Sequence, residues 1–432
     1  MTLIERLFGV AKAGSTVRTE MVAGATTFLS MAYITAVNPG ILSETGMDFA
    51  AVFVATCLAA AVGSIAMGLL ANYPVALAPG MGQNAFFTYA VVLGGGHSWQ
   101  TALGAVFISG VLFVALSVLP FREWLINAIP RNLKQGIAGG IGLFLGFIAL
   151  QNAGLVGDNP ATLVQIADIT AFPAAACLLG FVLIVALTAL RVPGAVIIGI
   201  LSVAALGWFT GQVSFQGVFS APPSPAPVLF QLDIAGAFQL SMVTVILSFL
   251  IVDVFDTAGT LVGVAMRANL LDANHKLPRL RRALLADSGA TVAGAVFGTS
   301  STTSFIESGA GVEAGGRTGL TAVVCGVLFI TCLFLAPLAQ SIPAYATASA
   351  LLFVACLMAQ SLATLDWADG TESAPAIVAA IAMPLTFSIA DGIGLGFITY
   401  AAVKIFTGKF FRCSPVVYVI ALIFVLKYTV IV

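Results

Sequence analysis

The sequence predicts an all-α polytopic membrane protein, with about fourteen transmembrane segments arranged as a seven-plus-seven inverted repeat. Three observations carry that expectation. Only 8% of the 432 residues are charged and 60% are hydrophobic, with mean hydropathy +1.08, whereas a soluble domain has roughly 25% charged residues. So few ionic groups could not cover a water-facing surface of this size. The third segment of each half is short and interrupted by Pro, Gly or hydroxyl residues. Lys and Arg crowd into alternate loops, as the positive-inside rule requires.

Apolar stretches of about 20 residues, enough for one helical crossing, run almost end to end. The N-terminal MTLIERLFGVAKAGSTVRTE (1–20) is amphipathic and basic. It lacks the compact apolar core and small-residue cleavage site of a signal peptide, and reads as lying on the membrane surface. Segments 1 and 2 fall near 22–42 and 49–71, and segment 3 is broken near 74–93. Segments 4 to 7 fall near 99–120, 135–156, 170–190 and 193–212, and the Pro-rich APPSPAP (221–227) separates the halves. Segments 8 and 9 lie near 239–266 and 283–298, followed by a second broken segment near 300–314. Segments 11 to 14 lie near 318–340, 343–363, 374–390 and 391–408. The last apolar run, SPVVYVIALIFVLKYTVIV (414–432), reads either as a further span or as an interfacial helix.

The loops 121–134 and 267–282 hold Arg122, Arg131, Lys134, Arg267, Lys276, Arg279, Arg281 and Arg282. Arg191, Arg317, Lys404, Lys409 and Arg412 fall on the same side, while 43–48, 94–100 and 213–238 carry no Lys or Arg. That asymmetry puts the N-terminus in the cytoplasm. Seven is an odd number, so the second half must be inverted relative to the first. The formal charge of −1 and the lack of a basic patch with interleaved aromatics give no reason to expect nucleic acid. Cys57, Cys177, Cys325, Cys332, Cys356 and Cys413 are scattered singly, and read as small hydrophobes rather than a disulfide framework or metal site. His97 and His275 lie in loops and cannot form a buried pair. No cofactor or metal is expected.

In hydrocarbon, backbone N–H and C=O groups must be satisfied internally, so irregular backbone at mid-depth lines a cavity or is buried in protein. Both third segments break that regularity. Pro74 and Pro79 bracket VALA before Gly80 and Gly82, and TSSTTSF (299–305), poor for helix, precedes Gly309 and Gly311. Half-helices starting at such breaks aim N–H groups at the midplane, a frequent substrate site in transporters. The intramembrane acids matter most. Asp253 and Asp256 sit one turn apart on one face of segment 8, and Glu307 sits at the second break. A charge there costs at least about 2.5–3.5 kcal/mol, so such groups usually face a cavity and act. Asp287 and Asp391 lie nearer segment ends, where a structural hydrogen bond is the favoured reading. Asn84 and Gln83 follow the first break and Asn38 ends segment 1; a side-chain amide suits the edge of a heterocycle, though for Asn38 a capping or kink role is favoured. Gly311–Thr318 nearly spells a phosphate loop, with Arg317 where Lys belongs, but it lies between two spans instead of in a strand–loop–helix.

These residues resemble the AzgA-like purine permeases of the nucleobase:cation symporters, relatives of the uracil and xanthine/uric acid transporters. The resemblance runs through TEMVAGATTFLSMAYITAVNPGIL (19–42), NYPVALAPGMGQNAFF (72–87), IPRNLKQGIAGGIGLFLGFIALQNAG (129–154), VDVFDTAGTLVGVA (252–265), ESGAGVEAGGRTGLTAVV (307–324) and MPLTFSIADGIGLGF (383–397). It implies a core domain of segments 1–4 and 8–11 (1–120 and 239–340) and a gate domain of segments 5–7 and 12–14 (121–238 and 341–432). It also implies an elevator-type carrier, a homodimer, in the cell inner membrane, carrying hypoxanthine, guanine or adenine with protons. By motif, Asp256 and Glu307 match the acids that engage the base, and Asn84 and Asp253 match further positions of importance. Thr260, Phe305 and Asn38 complete the expected substrate site, and Glu307, Asp256 and Asp253 the expected proton-coupling set. Gln83 departs from the family pattern, which has an apolar residue beside the Asn.

Each proton carried inward brings about 2.3 kcal/mol per 100 mV of membrane potential. Na⁺ coupling would need several oxygen ligands in one cage. An anion transporter of the same fold would want a cationic or dipolar site, and Glu307 at the break argues against it. An intramembrane aspartyl protease needs a GxGD motif that the chain lacks; Asp391 sits in IADGIG.

Overall fold

The computed structural model describes residues 3–118, 129–268, 270 and 277–431. The expected boundary at 120/121, with Arg122, His275 and Lys276, lies outside the described residues. The chain is mostly helical. By length and composition, nine helices among the described residues are long and apolar enough to cross a membrane.

The first half begins with a short α1 (Leu3–Phe8), then α2 (Val17–Met31) and α3 (Ile34–Ser43) in close succession. The Thr16 hydroxyl accepts from the Thr19 N–H and starts α2; Asp48 does the same for α4 (Phe49–Ala66) through Ala51. After α4 and a π-helical turn, the chain becomes extended as β1 (Leu77–Pro79), then resumes as α5 (Met81–Ala85) with π-helical continuation to Gly94. α6 (Trp99–Val118) follows. α7 (Arg131–Asn152) starts after Pro130, four residues before its expected start, and ends at a left-handed Gly154 (φ 71°). The connection expected between segments 5 and 6 holds a hairpin, β2 (Val156–Asn159) against β3 (Leu163–Ile166), which no sequence signal foretold. α8 (Phe172–Ala189), α9 (Ala195–Phe209) and a single turn, α10 (Ile234–Ala237), complete this half.

The second half opens with α11 (Val243–Arg267) and α12 (Leu280–Phe297), then β4 (Thr302–Ser304) and α13 (Ser308–Glu313). After these come α14 (Gly319–Cys332), α15 (Ala336–Gln340), α16 (Ala344–Ala359), α17 (Gly370–Thr386), α18 (Ile389–Phe406) and α19 (Pro415–Leu426). α17 starts four residues earlier than expected because Asp369 accepts from the Thr371 N–H, and Ser388 caps α18 through Asp391.

The two interruptions meet. β1 pairs antiparallel with β4, Leu77 opposite Ser304 and Pro79 opposite Thr302. Both strands are wholly buried, so their backbone groups must find partners inside the protein. The Gly80 N–H donates to the Ser301 carbonyl at 2.9 Å, and Phe305 N–H to the Ala76 carbonyl at 3.0 Å. Hydroxyls supply what a two-stranded ladder cannot: the Ser64 hydroxyl accepts from Leu77 N–H at 2.9 Å, and the Ser308 hydroxyl from Ala76 N–H at 3.0 Å. Ser64 of α4 and Ser308 of α13 thus satisfy backbone that Pro and extended geometry leave open.

Helices pack in two groups around this crossing. α4 packs on α12 and α14, α12 on α6, and α14 on α2, while α7 packs on α16 and α17, α16 on α8, and α17 on α18. Small residues permit the approach. A Cβ on Gly24 would lie 2.6 Å from the Thr321 carbonyl oxygen, and one on Gly319 would collide with the carbonyl of Gly68. Arg317 of the loop that imitates a phosphate site donates from Nη1 to the carbonyls of Val312 and Gly316, both at 2.7 Å. That loop is closed upon itself, and its backbone N–H groups at Arg317 and Thr318 are taken by buried Glu20.

The C-terminal apolar run forms α19, which lies on α18, with Phe424 against Gly394. Lys427 Nζ reaches Asp391 Oδ1 at 2.6 Å and the Tyr428 hydroxyl donates to the same oxygen at 2.9 Å. Asp391 is therefore a structural anchor for the terminal helix, the reading favoured from sequence. The pair is about a quarter exposed, so Lys427→Met should cost only about 1 kcal/mol. A thermal unfolding curve of purified protein checks this; a loss several times larger would mean that α19 holds the fold together.

Candidate substrate site

A cavity of about 710 Å³ lies between the two helix groups. One wall comes from the crossing: Gly82 and Gln83 of α5, Asp256 and Thr260 of α11, and Ile306 and Glu307 just after β4. The other comes from Arg131, Lys134 and Ile141 of α7 and Val354 and Met358 of α16. Asp256 and Thr260 are four residues apart on one helix, so both face the same opening. Glu307 is delivered by the turn that ends the extended run, which carries its carboxyl toward α11. Tyr33, at the junction of α2 and α3, donates to Glu307 Oε1 at 2.7 Å. The Lys134 ammonium lies 5.2 Å from the centre of the Phe255 ring, a cation–π contact between the two walls.

Behind the cavity wall lies a second, buried layer of polar groups. Asp253 is fully buried and does not line the cavity. It accepts from Gln83 Nε2 at 3.2 Å and from the Thr291 hydroxyl at 3.0 Å. Asp287, also fully buried, accepts from the Thr257 hydroxyl at 2.6 Å and from both the N–H (2.8 Å) and hydroxyl (2.7 Å) of Ser304. Thr257, its proton given to Asp287, accepts in turn from Thr303 at 2.9 Å. The two acids thus tie α11 and α12 to the strand crossing.

Of the residues expected at the site, Asp256, Glu307 and Thr260 line the cavity together. Asn38, Asn84 and Phe305 do not. The Asn38 amide donates to Thr56 at 2.7 Å and Thr299 at 2.8 Å, stitching α3 to α4 and to the approach of β4. This is a packing role, where the sequence favours a capping or kink role. Asn84 accepts from the Ser300 hydroxyl and is fully buried. Phe305 packs into the core, with its N–H tied to Ala76. Asp253 and Asp256, read as sharing one face, divide their work: three residues is a 300° turn, enough to put one on the cavity and the other behind it.

Sequence reasoning missed Tyr33 as a partner of Glu307, Arg131 and Lys134 as cavity walls, and the burial of Asp287. Lys134 and Arg131 were read only as loop charges that orient the chain. Tyr33 carried no signal at all, since its partner lies 274 residues away.

Two acids thus stand on the wall of a largely apolar cavity, beside a strand crossing within a bundle of helices long and apolar enough to span a membrane. Residues 18–395 match the Permease family, and the chain belongs to it; the family is one of permeases, not enzymes. The adenine permease AdeP of Escherichia coli (strain K12) is 49% identical over 98% of this chain and 96% of its own length. The guanine/hypoxanthine permease PbuO of Bacillus subtilis (strain 168) is 44% identical over 98% of this chain and 99% of its own length. Among solved structures, the transmembrane domain of the cyanobacterial bicarbonate transporter BicA has the same fold, with TM-score 0.64 at 15% identity, over 86% of this chain and 96% of that one. SLC26A9 gives TM-score 0.64 at 11% identity, over 94% of this chain and 69% of that one.

Proposed function

We propose that this permease takes up purine nucleobases, hypoxanthine, guanine or adenine, across the cell inner membrane in symport with protons. The observation that carries the reading is the pair Asp256 and Glu307 on one cavity wall, backed by Gln83 and Thr260. Purines are planar and rich in edge N–H groups. Carboxyl groups can accept from such an edge, while Phe255, Ile141 and Met358 offer apolar surface to the ring faces. A carboxyl that must be protonated before the loaded carrier moves would bring base and proton across together. The names of the relatives above support the substrate class.

In this reading the fourteen segments form a seven-plus-seven inverted repeat, and the antiparallel pairing of β1 with β4 supports it. The group containing α2–α6 and α11–α15 serves as core, and the group containing α7–α9 and α16–α18 as gate. The base sits between segments 1, 3, 8 and 10, with segment 1 represented by Tyr33, and the core moves against the gate as an elevator within a homodimer. The N-terminus is cytoplasmic. A carrier for anions of the same fold would want a cationic site, and here Arg131 and Lys134 on one wall of the cavity are matched by Asp256 and Glu307 on the other.

Uptake of a labelled purine into proteoliposomes tests the reading. The proton enters with the base, so raising the external pH removes a co-substrate and shrinks its gradient. Uptake should therefore fall as external pH rises, collapse with a protonophore and ignore Na⁺. Uptake that needs Na⁺ and is indifferent to pH and protonophore would replace the coupling ion. Absence of purine uptake under every gradient would overturn the substrate.

A further inference from the structure

The first span, Val17–Ser43, is not one continuous helix. α2 ends at Met31 and α3 begins at Ile34, with Ala32 and Tyr33 as a turn between them. Thr35 ties the turn to the Ala32 carbonyl, through its N–H at 3.1 Å and its hydroxyl at 2.8 Å. The Tyr33 side chain enters the core, where it is 1% exposed. A buried phenol hydroxyl has to find a partner, and this one donates to Glu307 Oε1 at 2.7 Å. The two oxygens of that carboxyl are therefore not equivalent. Oε1 is taken by a side chain that does not line the cavity. Oε2 is bonded by no other side chain among the described residues, and since Glu307 lines the cavity, Oε2 is the oxygen left to it. A carboxylate oxygen and the carbonyl oxygen of the protonated acid both accept, so the arrangement does not depend on the charge of Glu307.

We propose that Tyr33 is a positioning residue for the substrate site: by holding Oε1 it commits Glu307 to meet the base through Oε2 alone. The inference rests on the purine reading above and on the place of Glu307 in it. Turning both oxygens onto a ligand would leave the Tyr33 hydroxyl buried and unpartnered, at a cost, so a two-point contact is closed to Glu307. An amide in place of the acid makes the commitment visible. The hydroxyl of Tyr33 needs an acceptor, so in Glu307→Gln it keeps the carbonyl oxygen and the amide NH2 faces the cavity, donor against the N–H of the base. With the hydroxyl also removed, the amide is free to turn over and bring its carbonyl back to the base.

Calorimetric affinities for adenine, guanine and hypoxanthine in wild type, Tyr33→Phe, Glu307→Gln and the double variant test it. Tyr33→Phe alone should weaken binding about threefold, because the carboxyl is no longer held in one pose. Glu307→Gln alone should weaken it far more. In the Tyr33→Phe background the same Glu307→Gln change should cost about tenfold less, so the double variant binds more tightly than Glu307→Gln. A Tyr33 that only fills the core would give losses that multiply, with the double variant weaker than either single one, and that result overturns the proposal. So does a Tyr33→Phe protein that cannot be purified folded, since the hydroxyl would then serve the scaffold. Wild type that binds none of the three bases, or Glu307→Gln that binds as wild type does, defeats the reading on which the inference rests. Neither of those two outcomes depends on Tyr33, so the failures are distinguishable.

Discussion

Asp256→Asn and Glu307→Gln should each weaken purine binding by about 2–4 kcal/mol while leaving the amount of folded protein close to wild type. Each amide keeps nearly the volume of the acid and one carbonyl acceptor, but replaces the second oxygen by a donor. Where the base offers an N–H to a charged oxygen, the lost hydrogen bond is worth about 1.5–3 kcal/mol, and a ligand donor left facing another donor adds to the loss. Both acids line the cavity and are partly buried, and removing an ionisable group partly withdrawn from water relieves a desolvation cost. Expression should therefore survive. Glu307→Gln keeps an acceptor for the Tyr33 hydroxyl, now 2.7 Å from Oε1, so that contact persists and the defect reports on ligand. If the acids served the fold alone, the opposite pattern would appear, with lower melting temperature and yield but normal affinity in what survives. Calorimetric titration of both variants separates the two patterns. Near-wild-type affinity in both would remove Asp256 and Glu307 from the binding site whatever the fold.

Much of this was legible because the bilayer is a demanding solvent. It forces long apolar helices, makes every Pro- or Gly-broken stretch conspicuous, and makes an acid such as Asp256 or Glu307 hard to overlook. The two breaks were therefore readable from Pro74, Pro79 and TSSTTSF, and they are extended backbone in the structure. Their pairing was not readable, since nothing local in Leu77–Pro79 names Thr302–Ser304 as its partner. The hairpin at 156–166 escaped for a different reason: VGDNPATLVQI is short and mixed, and its strands are settled by pairing with each other. Within the site, sequence reports which residues are chemically capable and not which way they point. Asn38 and Asn84 had suitable amides but were drawn into packing bonds with Thr56, Thr299 and Ser300. The structural hydrogen bonds expected of Asp287 are there, from Thr257 and Ser304, but its depth was not legible: it is fully buried, because α12 begins at Leu280 and places it two turns inside.

Asp287 gives the complementary expectation, a large loss of stability without a loss of affinity. Its carboxylate takes three donors, from Thr257 and twice from Ser304, in a site with no exposure to solvent. One of the three is the backbone N–H of β4, so Asp287 does for the strand crossing what a third strand would do in a sheet. Asp287→Ala leaves all three donors buried and unmatched. Each costs about 1–3 kcal/mol, and breaking a buried network by removing its acceptor costs about 3–5 kcal/mol. Relaxation of the two hydroxyls toward other oxygens keeps the total near that range. Asp287→Asn should fall in between, since one carbonyl oxygen can still serve Ser304 while the amide nitrogen meets the Thr257 hydroxyl. The purine affinity of whatever protein survives should stay near wild type, because Asp287 does not line the cavity. The measurement is a thermal unfolding series in detergent alongside calorimetry on the same preparations. Unfolding unchanged in Asp287→Ala, with affinity lost, would move Asp287 from the scaffold into the binding machinery. The predicted outcome, opposite in both readouts to that of Asp256→Asn on the neighbouring helix, would separate the acid that holds the crossing together from the acid that meets the base.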